Sequence, residues 1–84
     1  MPSVPLPADI DADLAHALRT LREQRGRSQE ALAHDAGLTL RTVQRIERAQ
    51  ANPTWSTVRR IARALGVTLA ELVRAVDDAS PRDR

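Results

Sequence analysis

The 84-residue chain holds enough sequence for one small domain, near the lower limit for a core that is stable without cross-links. It has no cysteine, which excludes a disulfide framework, a thiolate metal site and thiol redox chemistry. Its net charge of +2 conceals a basic centre, where residues 14–76 carry eleven arginines against five acids, flanked by acidic ends.

Pro2, Pro5 and Pro7 predict an extended tail over residues 1–8. From residue 9 the apolar positions recur with helical spacing: Ile10, Leu14, Ala17, Leu18 and Leu21 form a first stripe that ends at Gly26. Ser28 then caps a short second helix, SQEALAHDA, stopped by Gly37, and Thr39 caps a third that runs to about Arg48. After the loop QANP, Thr54 caps a fourth helix with apolar positions Trp55, Val58, Ile61, Ala62 and Leu65, stopped by Gly66. Thr68 and Glu71 have the spacing of a capping box and open a fifth helix through Leu69, Leu72, Val73 and Val76. Residues 77–84 read as a polar C-terminal tail. No segment alternates with period two, and Phe and Tyr are absent, so the fold class expected is all-α, five short helices in one domain over 9–76.

The third helix poses the functional question. Arg41, Arg45 and Arg48 lie at i, i+4 and i+7, one face of a helix, while Val43 and Ile46 occupy the other. Exposed arginines on a helix are ordinarily matched by an acid three or four residues away, and these are not. A solvated face is the bland reading of such a stripe, but its surroundings argue against it. Residues 29–48, QEALAHDAGLTLRTVQRIER, place a small residue (Ala33) where two helices would cross and a glycine (Gly37) where a turn needs positive φ. Leu32, Ala36, Leu38, Val43 and Ile46 supply the apolar contacts between them. Seven matches at fixed offsets in twenty residues are a specific signal.

With LRTLREQRG before this unit, NP in the loop after it and IARALGVTLAELV at the close, residues 14–76 resemble the phage repressor and Cro type of helix-turn-helix domain, the lambda-repressor-like or XRE family. The resemblance implies a five-helix bundle and a sequence-specific, double-stranded DNA-binding transcriptional regulator. It also implies a homodimer on a palindromic operator, with helix 39–48 in the major groove. By position, Leu40, Arg41, Gln44 and Arg45 would read bases: an arginine there can bond guanine O6 and N7 together, and Leu40 suits a thymine methyl. Gln29, Thr39, Arg48 and Asn52 would touch phosphate, in keeping with the free N–H groups at helix N-termini. Arg22 and Glu47 match a partly buried structural ion pair. The apolar surface expected to mediate dimerisation lies around Val73 and Val76, with Trp55 beside it.

Three positions depart from the family pattern. Ala49 stands where glycine is usual, so the third helix is expected to run on slightly or the chain to turn at Asn52. Arg27 replaces an apolar residue that would staple onto Leu32. Trp55 replaces a leucine, and core packing is its expected role, with a dimer contact as the sharper alternative. Arg59, Arg60 and Arg63 read as surface solubility, His34 as a local partner of Glu30, and His16 as exposed. Two separated histidines make neither a metal cluster nor a catalytic dyad, so no enzyme activity, metal or cofactor is expected. No apolar run approaches the length of a membrane span, about 18 residues, and residues 1–13 lack the pattern of a secretory signal, so the expected compartment is the cytoplasm. No small-molecule substrate is expected. The competing readings are an antitoxin or adaptor whose main partner is a protein, and a restriction–modification controller.

Overall fold

The structure, a computed structural model, describes residues 10–80; the N-terminal tail expected over 1–8 and residues 81–84 lie outside the described residues. Five helices follow in order: α1 (Ala12–Gln24), α2 (Gln29–Ala36), α3 (Leu40–Glu47), α4 (Trp55–Leu65) and α5 (Leu69–Ala79). The all-α expectation is borne out. Each helix begins because a side-chain oxygen accepts the N–H three residues on. Asp11 takes Leu14 at 2.8 Å, Ser28 takes Ala31 at 3.0 Å, Thr39 takes Thr42 at 3.0 Å, Thr54 takes Thr57 at 3.1 Å and Thr68 takes Glu71 at 3.0 Å. Such caps each contribute about 1 kcal/mol, which matters when the helices are too short to be stable alone.

Packing assembles these pieces around one core. Leu18, Leu32, Val43, Ile61 and Leu72, one from each helix, are its most completely buried large side chains. Helix α1 packs chiefly on α5, while α2 packs on both α3 and α4. Among the described residues, no helix is long and apolar enough to cross a membrane.

Several boundaries differ from expectation for physical reasons. Ile10 precedes α1 rather than opening it, because Asp11 is the cap. Helix α5 continues to Ala79, so Asp77 and Asp78 are helical rather than part of a tail. Ala15, outside the predicted stripe, is buried on α1. The largest discrepancy is Ala49. Helix α3 stops at Glu47, and Ala49 itself takes φ +56°, the left-handed conformation that glycine usually supplies. What holds it there is a pair of backbone bonds, Ala49 N–H to Ile46 O at 3.1 Å and Gln50 N–H to Arg45 O at 2.8 Å, a Schellman closure. The strain predicts a gain on substitution. The left-handed region costs a β-carbon-bearing residue about 1–2 kcal/mol, against about 0.4–1 kcal/mol lost through the freer unfolded chain of a glycine variant. Ala49→Gly should therefore raise the melting temperature by a few degrees, roughly 4–8 °C per kcal/mol at this size.

The capping box on α5 adds a pH dependence. Glu71 Oε1 accepts the Thr68 N–H at 2.7 Å, and that backbone bond lowers the pKa of the carboxyl below its ordinary value. Asp35 is lowered as well, first by its hydrogen bond from Arg27 and then by one from His34. A carboxylate lowered in the folded state contributes stability at neutral pH, and that contribution disappears as pH falls through the lowered value. Glu71→Gln retains an acceptor for the Thr68 N–H while removing its titration. Its melting temperature should fall less steeply than the parent's below about pH 4, measured by circular dichroism across a pH series.

Candidate nucleic-acid interface

Helices α2 and α3 are joined by a turn at Gly37, which takes φ +70°. Arg60 on α4 clamps this turn: Nε donates to Ala36 O at 3.0 Å and Nη2 to Gly37 O at 2.7 Å. Arg60 is exposed, as expected of a surface arginine, but it also sets a cation against the carbonyl end of α2, where the helix dipole favours it. No local pattern could have revealed it, since the partners lie more than twenty residues away in sequence.

Helix α3 is fixed by its inner face. Val43 and Ile46 are buried, which turns Arg41 and Arg45 to the exposed side, with Arg48 exposed at the helix end. Leu40 and Gln44 are half-buried at its flanks, and Thr39 caps its N-terminus. Among the described residues, none of Arg41, Arg45 and Arg48 enters an ion pair.

The single acid of α3 is handled differently. Glu47 is 4% exposed, and Arg22 reaches it from α1 in a two-pronged contact, Nε to Oε2 at 2.8 Å and Nη2 to Oε1 at 3.1 Å. The bond from Arg22 to Glu47 raises the arginine's pKa. Gln29 Nε2 donates to the same Oε1 at 3.0 Å, and Arg22 Nη1 donates to Arg27 O at 2.8 Å. No buried side-chain polar atom among the described residues is left without a partner. The carboxylate is therefore neutralised and held inside, and α3 presents cations alone to the outside.

Two residues expected at phosphate carry internal duties. Besides Gln29 on Glu47, Asn52 Oδ1 accepts the Asp11 N–H at 2.8 Å and ties the start of α1 to the loop after α3. Arg27 pairs with Asp35, so an ionic contact takes the place of the apolar staple. His34 contacts Asp35 at 3.4 Å rather than Glu30, and His16 lies 3.5 Å from Thr20. Among the described residues, no cluster of acids and histidines is arranged to hold a metal.

A family model described as helix-turn-helix matches residues 18–72, most of the chain. The chain belongs to the helix-turn-helix family. The lambda-repressor-like resemblance is borne out by this match. Among curated relatives, a hypothetical transcription factor of Neisseria meningitidis is 38% identical over 77% of this chain and 61% of its own length. An uncharacterized HTH-type transcriptional regulator of Sinorhizobium fredii is 36% identical over 69% of this chain and 75% of its own. This helix-turn-helix chain thus spans about three-fifths of the Neisseria relative. Among solved structures, the restriction-modification controller protein C.AhdI from Aeromonas hydrophila superposes with a TM-score of 0.71 at 35% identity, covering 74% of this chain and 94% of that one. The clp gene regulator ClgR from Corynebacterium glutamicum shares the fold at TM-score 0.78 and 21% identity, over 90% and 95% of the two chains.

Away from α3, an apolar surface lies open among the described residues. Trp55, expected in the core, is 62% exposed, and Val73 on α5 is 52% exposed. They border a shallow groove with Leu14, Pro53, Leu69 and Val76. As the first residue of α4, Trp55 stands a full turn before the buried Val58, too early to reach the core.

Proposed function

We propose that the chain is a sequence-specific double-stranded DNA-binding transcriptional regulator that acts by binding rather than by catalysis, in the cytoplasm, as a homodimer on a palindromic operator. The observation that carries this reading is the division of labour among its arginines. Arg22, Arg27 and Arg60 are engaged within the fold, whereas Arg41, Arg45 and Arg48 stand together on the exposed face of the second helix of the motif. In helix-turn-helix proteins that helix enters the major groove with its N-terminal residues at base edges. Leu40, Arg41, Gln44 and Arg45 are then the base-reading set, while Gln29, Thr39, Arg48 and Asn52 face phosphate. The names of the curated relatives agree with a regulator.

Dimerisation would occur through the groove bordered by Trp55 and Val73. Two copies related by a twofold axis would read half-sites about 34 Å apart, which one small domain cannot do. Val73→Glu places a charge in that surface without touching the core. It should leave the unfolding free energy of the free chain within about 0.5 kcal/mol of the parent, as for ordinary surface substitutions, yet shift sedimentation on operator DNA from two chains to one.

Selection of bound duplexes from a random pool tests the reading directly. A palindromic consensus supports it, and a pool that remains random after repeated rounds overturns it. Arg48→Ala, if the residue sits on phosphate, should make the salt dependence shallower by about one unit per monomer. Restriction–modification control is a second reading, favoured by the 35% identity to C.AhdI. Endonuclease and methyltransferase genes beside this one would support it.

A further inference from the structure

We propose that residues 4–7 of this chain, Val-Pro-Leu-Pro, dock in the apolar groove at Trp55 of the same chain and keep it closed to a second copy. The docking stands on its own observations; its consequence, control of pairing, rests on the dimer reading above. The groove has a volume of about 260 Å³, and its walls, which include Leu14, Pro53, Trp55 and Val73, carry no charged side chain. Trp55 and Val73 are both exposed, so an apolar occupant gains by covering them. An exposed tryptophan beside a proline is a surface that suits an extended, proline-rich segment, whose backbone is already set and loses little entropy on docking.

The chain itself supplies such a segment at the rim of this groove. The nine residues ahead of Ile10 read MPSVPLPAD, with three prolines and no charged side chain before Asp9. The point where they join the fold is fixed. The Asp11 N–H is held by Asn52 Oδ1 at 2.8 Å, and the residue after Asn52, Pro53, is part of the groove wall. Leu14, another wall residue, follows Asp11 by about 4.5 Å along α1. In the extended proline conformation, at about 3.1 Å per residue, Pro7 and Val4 reach about 9 and 19 Å from Ile10. A tether this short holds the segment beside its own groove at an effective concentration on the order of millimolar. It therefore competes with a second copy present at micromolar levels.

Trp55, the one tryptophan in the chain, reports on the groove directly. At concentrations where sedimentation shows a single chain, acrylamide should quench Trp55 several-fold less in the parent than in a variant carrying Val4→Ser and Leu6→Ser. Both substitutions lie ahead of the described core, and equal helical circular dichroism confirms that the fold is kept. If the segment covers the groove about 90% of the time, about one chain in ten is open, and pairing of two open chains is weakened about 100-fold. The variant should therefore dimerise about 100-fold more tightly than the parent, read by sedimentation equilibrium without DNA. Equal quenching of parent and variant overturns the inference, whatever the state of the dimer. Unchanged or weaker dimerisation of the variant also overturns it, since the segment would then leave the pairing face free or reach across to the partner. A chain that never pairs in either form, with the difference in quenching intact, overturns the dimer reading and leaves the docking in place.

Discussion

Arg22→Ala should destabilise the fold by about 3–5 kcal/mol, because it leaves a buried carboxylate without its cation. The size follows from burial: the Glu47 side chain is 3% exposed, and the Gln29 amide alone would remain to satisfy it. Glu47→Ala should cost less, roughly 2–3 kcal/mol, near the low end for breaking such a pair. The Arg22 side chain is 11% exposed, still donates to Arg27 O and has Glu23 at 3.9 Å. Either loss is a large part of the roughly 4–12 kcal/mol expected for a chain of this size. Replacing both partners with apolar residues, Arg22→Met with Glu47→Leu, should recover much of the stability, since a well-packed apolar pair removes the desolvation cost. Urea melts of the three variants check the order. Equal stability of Arg22→Ala and the parent would mean that the pair contributes nothing to folding.

Gly37→Ala should cost about 2–4 kcal/mol, more than the same change at Gly26. Both glycines take positive φ, which costs alanine about 1–2 kcal/mol. At Gly26 an added Cβ meets nothing within 4 Å, so the backbone is the whole effect. At Gly37 that Cβ would stand 2.5 Å from Arg60 Nη2. The guanidinium is the free end of a flexible side chain and would withdraw, giving up its bonds to Ala36 O and Gly37 O. Hydrogen bonds to a charged donor contribute about 1.5–3 kcal/mol when buried, and partial exposure here reduces that to roughly 1–2. In an Arg60→Ala background the clash is absent, so Gly37→Ala should cost no more than Gly26→Ala does in the parent. A penalty at Gly37 that is unchanged in that background would show that Arg60 and the turn are not coupled.

The helices were legible in the sequence because what starts and stops them is local. A cap joins a side-chain oxygen to an N–H three residues on, and the Ser, Thr, Glu and Gly residues that do this stand at fixed offsets. The helix-turn-helix unit was legible for a related reason: its glycine, small residue and apolar positions fall within twenty residues. Ala49 marks the limit of local reasoning. Its intrinsic preference argues against positive φ, but two backbone bonds and the packing of α3 outweigh a cost of about 1–2 kcal/mol.

What the sequence determined by itself was the set of helices, most of the buried positions on them and the face of α3 that bears arginine. Tertiary structure decided which polar side chains are occupied. Arg60, grouped by sequence with Arg59 and Arg63, is bonded to carbonyls at the end of α2; Gln29 and Asn52, both polar residues at the edge of the motif, are drawn onto Glu47 and onto the Asp11 N–H. Trp55, the largest apolar side chain, lies outside the core. The physical reason is common to all four. A cap or an apolar stripe depends on neighbours within about one helical turn, whereas these side chains answer to groups brought beside them, or carried out of reach, by the packing of helices distant in sequence.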